Sequence, residues 1–507
     1  MNRVVPLVVA LPLLGAAVSL LALRHRSLQR AVSFVLLPTS LAVAVSLLVH
    51  VERTDTAAVA RIGGWPSAIG ITYVADRLAT LMLVIAMTVL LVVLVFAVGQ
   101  RSRDEVSPYY HPAYLVLTAG IAAAFLAGDL FHLFVAFEVL LMASYVLLTL
   151  HGGADQVRSG TTYVVLNTIE SLLLVSAVGL VYGATGTLSM AELPERLAAL
   201  DDGVRIGLHL LLLVAFGLKA AVFPLFFWLP DSYPVAPSPV TAVFAGLLTK
   251  IGVYAMIRTQ TLLFPDELRP VLLYVAGFTM IVGVLGAIAQ SDIKRILSFH
   301  IVSQVGYMVL GLAIGGPAAV AATVFYLLHH IPVKTSLFLV EGIVEHTSGT
   351  SVLDRIGGLA RRSGWLAALF LFPALSLAGL PPLSGFVGKL GLITAGLDAG
   401  QYVIVGVAIV GSLLTLVSMT KIWTGAFWGE VAPPPATAAA PAGDGPGLVE
   451  GGPGLLRRHR TMATATATLV AGSLVLAAAA GPLYAFCERT ARDLTDPGAY
   501  TAEVRGS

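Results

Sequence analysis

The chain has 507 residues, of which 57% are hydrophobic and 11% charged, with a formal net charge of +2. Soluble domains carry about 25% charged residues, so this composition excludes an ordinary globular protein, and the near-neutral balance offers nothing to a nucleic acid. The single cysteine, Cys487, excludes an intrachain disulfide and a cysteine-based metal site; a free Cys of this kind reads as an inert buried thiol.

A membrane crossing takes about 20 apolar residues to cover about 30 Å of hydrocarbon. On that measure the sequence is an all-α polytopic membrane protein of about fourteen spans, centred near Leu14, Val43, Val84, Ala119, Leu140, Leu174, Val214, Leu247, Val282, Val309, Phe338, Leu380, Leu414 and Val475. The first span follows Arg3 and is followed at once by Arg24, Arg26 and Arg30. That order suits an uncleaved span with its N-terminus outside. Alternation from there gives the inside loops Arg101, Arg103, Lys294, Arg295, Arg361 and Arg362 among others, about twice the Lys and Arg of the outside loops. Both termini are then expected outside a bacterial inner membrane.

The expected organisation has five parts. Residues 1–110 hold spans 1–3, 111–260 a first repeat (spans 4–8) and 261–429 a second repeat (spans 9–13). Residues 430–460 form a Pro/Ala/Gly-rich cytoplasmic loop, and 461–507 the last span and a tail. The repeat shows in two Pro-interrupted spans, each with one lysine. Lys219 precedes Pro224, Pro230, Pro234, Pro237 and Pro239, and Pro381-Pro382 precede Lys389. Broken helices in corresponding positions point to a transporter built from inverted repeats.

An ionisable group at the bilayer centre costs about 2.5–3.5 kcal/mol on insertion scales, and marks a functional candidate. In Asp129-Leu-Phe-His-Leu-Phe-Val-Ala-Phe-Glu138, with Asp129 as a helix cap, Glu138 lies roughly 13 Å deep. Lys219 lies about 21 Å from an outer end marked by Arg205, beside the break that Pro224 imposes. Lys250 lies about 12 Å inside Arg258 on the next span. His330 and Lys334 share a helix face at i, i+4, with Pro332 between them expected to distort the helix. A histidine beside a buried lysine suits proton hand-off, and Lys389 completes the set. Asp129 and His329 read as structural. His300 and Glu170 are weaker candidates: an interfacial histidine or proton site, and a buried acid. No phosphate loop, zinc spacing or nucleophile elbow is present, which argues against an ATP-driven pump.

These residues carry a resemblance. Leu229-Pro-Asp-Ser-Tyr-Pro-Val-Ala-Pro-Ser-Pro-Val-Thr-Ala between Lys219 and Lys250 resembles the antiporter-like family, which unites the proton-pumping membrane subunits of respiratory complex I with the large subunits of Mrp antiporters. Ser291-Asp-Ile-Lys-Arg-Ile-Leu-Ser, Ser303-Gln-Val-Gly-Tyr and Ala378-Gly-Leu-Pro-Pro-Leu-Ser-Gly-Phe are similar to the same family, over roughly spans 3 to 13. Gly128-Asp-Leu-Phe-His through Ser144-Tyr145, Lys389 in Gly385-Phe-Val-Gly-Lys, and Ala426-Phe-Trp-Gly-Glu resemble the D-type branch of the Mrp antiporters. His329-His330-Ile-Pro332 departs from the usual Asn-His-Ala, and Glu170 is not an acidic position of the family.

The resemblance implies a proton-translocating subunit of a Na+/H+ antiporter, not an enzyme, with no cofactor or metal and with the A, B, C, E, F and G subunits of an Mrp complex as partners. Glu138 would stabilise protonated Lys219, and loosening that pair would send the proton to Lys250, His330 and Lys334, then Lys389. The alternatives are a proton-pumping subunit of a complex I-type or hydrogenase assembly, and a scaffold with dead channel residues.

Overall fold

The computed structural model describes the chain except residues 66–69, 101–104, 106, 151, 431–459 and 507. The expected Pro/Ala/Gly-rich loop therefore lies outside the described residues, as do Arg101 and Arg103. Among the described residues, eleven helices are long and apolar enough to cross a membrane, and three shorter apolar helices join them. Thirteen of the fourteen expected centres fall inside these helices; Leu380 falls in a break between two half-helices.

In chain order the principal helices are α1 (Leu7–Leu21), α2 (Arg26–Thr54), α3 (Arg77–Gln100), α4 (Tyr110–Leu126), α5 (Leu130–Thr149), α6 (Ala154–Thr185) and α7 (Asp202–Ala220). There follow α8 (Ser238–Leu263), α9 (Arg269–Ala289), α10 (Ile293–Ile314), α11 (Gly316–Ser348), α12 (Gly364–Ala378) and α13 (Ser384–Asp398). The last are α14 (Tyr402–Trp428), α15 (Arg460–Ala478), α16 (Ala480–Leu494) and α17 (Pro497–Gly506). Helices suit lipid because each backbone group is satisfied within its own segment. The centre of the bundle is α8, buried along its whole length, with α10 and α11 nearly so; α2, α6, α9, α14 and α15 lie at the periphery, their outer faces apolar and exposed.

Two halves repeat. Asp129 caps α5 by accepting from the His132 amide at 2.6 Å, and Asp292 caps α10 by accepting from the Arg295 amide at 2.9 Å. The Leu130 amide donates to the Leu188 carbonyl and the Met190 amide to that of Gly128; the same pair of bonds recurs from Ile293 to Ser351 and from Leu353 to Ser291. The α7 break starts at Ala221 (φ 60°) and the α12–α13 break at Gly379 (φ 86°), and each contains a cis X-Pro bond, Phe223-Pro224 and Pro381-Pro382. A left-handed residue ends each half-helix, and only at Gly379 does a glycine remove the steric cost. At Ala221 the amide bonds back to the Gly217 and Leu218 carbonyls.

Between α2 and α3 lies a short antiparallel hairpin, β1 (Ala58–Arg61) with β2 (Thr72–Ala75), pairing Ala58 with Ala75. The span count did not foresee it. It ties one end of the bundle together: the Gly128 amide bonds the Thr72 carbonyl at 2.9 Å, the Ala57 amide bonds Glu503 and the Arg61 guanidinium bonds the Val504 carbonyl.

Candidate proton-translocation site

All the strong sequence candidates except Glu138 are buried, at 4% exposure or less. Lys250, His330, Lys334 and Glu170 each lie near the middle of a long helix. The α7 break places Lys219 in the last turn of its half-helix, and the second break places Lys389 in the second turn of α13.

Lys219 finds its counter-charge on α6. Its ammonium donates to Glu170 Oε2 at 3.0 Å and to Asn167 Oδ1 at 3.5 Å, and lies 5.4 Å from the centre of the Phe137 ring. The expected direct pair with Glu138 is therefore replaced. Glu138 is half-buried and accepts from the Ser171 hydroxyl, the next residue after Glu170. The reason is geometric: α6 packs directly against α7, and Glu170 faces Lys219 across that contact. Glu138 follows Phe137, whose ring the Lys219 ammonium approaches, and so stands beside the pair without bonding to it. Glu170, a weak candidate from sequence, thus becomes the partner of the first lysine, with its Oε1 lacking a hydrogen bond among the described residues. At the break, the Trp228 indole donates to the Leu218 carbonyl at 3.0 Å and the Thr279 hydroxyl accepts from the Phe223 amide at 3.0 Å, so freed backbone groups are satisfied.

Lys250 has no carboxylate within bonding distance among the described residues. Its ammonium donates to the Ala245 carbonyl at 2.6 Å and to the Thr249 hydroxyl at 3.1 Å. The Ala245 carbonyl lies in a π-helical stretch, Phe244–Leu248, a local widening that recurs at functional sites. Gly252 matters here: a Cβ would stand 2.6 Å from the Ala220 amide nitrogen, so its absence lets α8 touch the backbone at the α7 break.

His330 and Lys334 lie on α11 with neither imidazole nitrogen nor the ammonium hydrogen-bonded among the described residues. Lys334 lies 5.7 Å from the Phe338 ring centre. Helix α11 continues through Pro332, which is buried with its neighbours. His329 is turned away to the Ser384 hydroxyl at 2.8 Å, a structural bond at the start of α13. His300 Nε2 shares a hydrogen bond with the Ser418 hydroxyl at 2.9 Å.

Lys389 donates to the carbonyls of Leu377 at 3.0 Å and Ala378 at 3.3 Å, and to the Ser412 hydroxyl at 2.9 Å. These carbonyls end the α12 half-helix, whose dipole favours a cation there. The Tyr307 ring lies 4.6 Å away. Sequence reasoning gave no role to Asn167, Gln304, Tyr307 and Tyr326. Tyr326 donates to Gln304, and its ring centre is 5.6 Å from that of Tyr307 and 6.4 Å from that of His330. Their motifs were visible, but an amide or phenol in an apolar span lacks the signal of a charge.

Glu170 with Lys219, Lys250, His330 with Lys334, and Lys389 are thus buried acids and bases of the bundle, with Lys219 and Lys389 set at two matching helix breaks. Buried charges at matching broken helices are the architecture of an ion-translocating membrane protein of the inverted-repeat type. The family profile described as "NADH:quinone oxidoreductase/Mrp antiporter, TM" matches residues 127–415. The chain is 41% identical over 508 residues to the D subunit of the Na(+)/H(+) antiporter of Alkalihalophilus pseudofirmus OF4, covering 99% of each. It superposes with a TM-score of 0.91 at 37% identity, over 100% of each chain, on a chain of the Mrp complex from Dietzia sp. DQ12-45-1b. A chain of an archaeal respiratory membrane complex, the membrane-bound sulfane sulfur reductase, follows at a TM-score of 0.88 and 25% identity, covering 99% of this chain. The chain belongs to the family of Na+/H+ antiporter D subunits, within the larger complex I and Mrp antiporter family.

Proposed function

We propose that this multi-pass protein moves protons through the midplane line as the D subunit of a Na+/H+ antiporter in a bacterial plasma membrane, with both termini outside and the other Mrp subunits as partners. One observation carries the reading: buried acids and bases follow one another across both repeats, and three of the lysines lack an acid partner among the described residues. Unpaired ammonium groups in so apolar a place repel one another and are costly to desolvate. Protonating one member therefore favours deprotonating its neighbour, which is the behaviour a relay needs.

In this reading Glu170 holds the protonated Lys219, with Glu138 as the second acid within electrostatic reach. Shifting the counter-charge from Glu170 frees the proton towards Lys250, then His330 and Lys334, then Lys389. His300 and the Tyr326–Gln304 bond line the last stretch. The sodium ion is carried by the assembled complex.

The second reading, a component of a redox-driven proton pump, has the archaeal respiratory neighbour in its favour; the greater identity of the antiporter relatives favours the first. Purification with native partners separates them, followed by proton-flux assays in vesicles with Na+, with K+ and without added cation. Flux that requires a monovalent cation, in a complex free of flavin and iron–sulfur proteins, is expected. Redox proteins in the preparation, with flux independent of cation, would contradict the proposal.

A further inference from the structure

One carboxylate of α11 is absorbed by none of this. Glu341 is 1% exposed, and neither of its oxygens has a hydrogen-bond partner among the described residues. An acid is rarely buried without partners, since desolvation goes uncompensated. Its surroundings are built from two other helices. Lys294, on α10 and 4% exposed, pairs with Glu345 Oε2 at 2.7 Å. Ser238, at the start of α8, donates to the same oxygen at 2.8 Å. The charges facing Glu341 are Lys294, Glu345 and Asp292. Asp292 is already occupied, capping α10 and accepting from the Ser351 hydroxyl.

Position on the helix supplies the rest. Glu345, Glu341, Lys334 and His330 fall on one stripe of α11, spaced by four, seven and four residues. The Glu345 side chain is 38% exposed at the Asp292–Ser351 end of the bundle, and Glu341 lies one turn deeper. From Glu341 to Lys334 is two turns, about 10 Å, the length of a short file of waters. The matching helix of the first repeat, α6, carries no acid, lysine or histidine from Ser171 to Thr185, so the stripe is a feature of the second repeat alone.

We propose that Glu341 is a second inlet of the relay, taking up protons past the Lys294–Glu345 pair and passing them to Lys334, downstream of Lys219 and Lys250. The inference rests on the proton-path reading above. In the step, the Glu341 carboxylate accepts a proton from water to become a carboxyl. It then gives that proton, through water, to the Lys334 amine, leaving carboxylate and ammonium. The Lys294–Glu345 pair positions the inlet and keeps its mouth polar.

The test uses the intact complex in everted vesicles, comparing Glu341→Gln, Glu341→Asp and Lys219→Ala for Na+-driven proton exchange. Glu341→Gln is expected to lower exchange about tenfold or more, and Glu341→Asp, which keeps the acid, to restore a large part of it. Glu341→Gln exchange equal to that of the unsubstituted complex, beside a dead Lys219→Ala, overturns the inlet alone. Full exchange in Lys219→Ala sinks the relay and the inlet together. Should Glu341→Gln not assemble, the pH profile of Glu341→Asp decides. A displaced half-maximal pH is expected; an unmoved profile at an unchanged rate overturns the proposal.

Discussion

At the residue scale, the pairing of Lys219 with Glu170 is what most changes the chemistry. A buried pair broken on one side costs about 3–5 kcal/mol, because the remaining charge is stranded, whereas removing both partners together is far milder. Glu170→Gln is therefore expected to lower the melting temperature of the purified complex. Glu170→Met with Lys219→Met should recover most of that loss while exchange stays absent. A double variant as unstable as the sum of its parts would contradict the pairing. Cys487 gives a simpler check. It is fully buried in α16, and burial pushes its thiol up to about 12. The reactive thiolate is then scarce at neutral pH, so maleimide should leave the native complex unlabelled at about pH 8 and label it after denaturation; rapid labelling of the native complex would show the thiol exposed. Legibility at this scale follows charge. Lys219, Lys250, Lys334 and Lys389 stand out because nothing apolar explains them. The Lys219–Glu170 bond was not legible, since it depends on which faces of α6 and α7 meet. Glu341 escaped notice because, beside Glu345 and His346, it reads as interfacial charge at a helix end; burial by α10 separates it from them.

At the element scale, proline was a partly sound guide. Pro224 and the Pro381-Pro382 pair mark true breaks, each closed by a left-handed residue and each beside a lysine. Pro332 does not end its helix: α11 continues through it, buried among its neighbours. The π-helical stretch beside Lys250 had no sequence signal, since it is a hydrogen-bonding choice made by packing. The same packing explains Gly252. With the Ala220 backbone where a Cβ would stand, no flexible side chain can yield. Gly252→Ala should cost about 1–3 kcal/mol by overpacking, visible as a lower melting temperature of the complex. It should also push α8 from the α7 break and reduce exchange. An unchanged melting temperature and rate would mean that the two helices do not approach so closely.

At the scale of the whole molecule, the two repeats give the protein its logic. Matching aspartate caps, matching loop hydrogen bonds and matching breaks set two half-paths of the same design into one bundle. Their contents differ: an acid pair serves the lysine of the first, while helix-end carbonyls and a hydroxyl serve that of the second. In the proposed relay that asymmetry sets a direction. Composition and hydropathy made the helical membrane architecture legible, and two lysines beside prolines made the repeat legible. The hairpin and the C-terminal helices that bind it escaped, because short strands and amphipathic helices outside the apolar spans carry no hydropathy signal. All of this turns on protons crossing through Glu138, Glu170 and the lysine line. That crossing is read from Na+-driven proton exchange by the assembled complex carrying Glu138→Ala or Lys219→Ala. Either substitution is expected to abolish exchange while the complex still assembles; full exchange in either variant would mean that protons cross elsewhere.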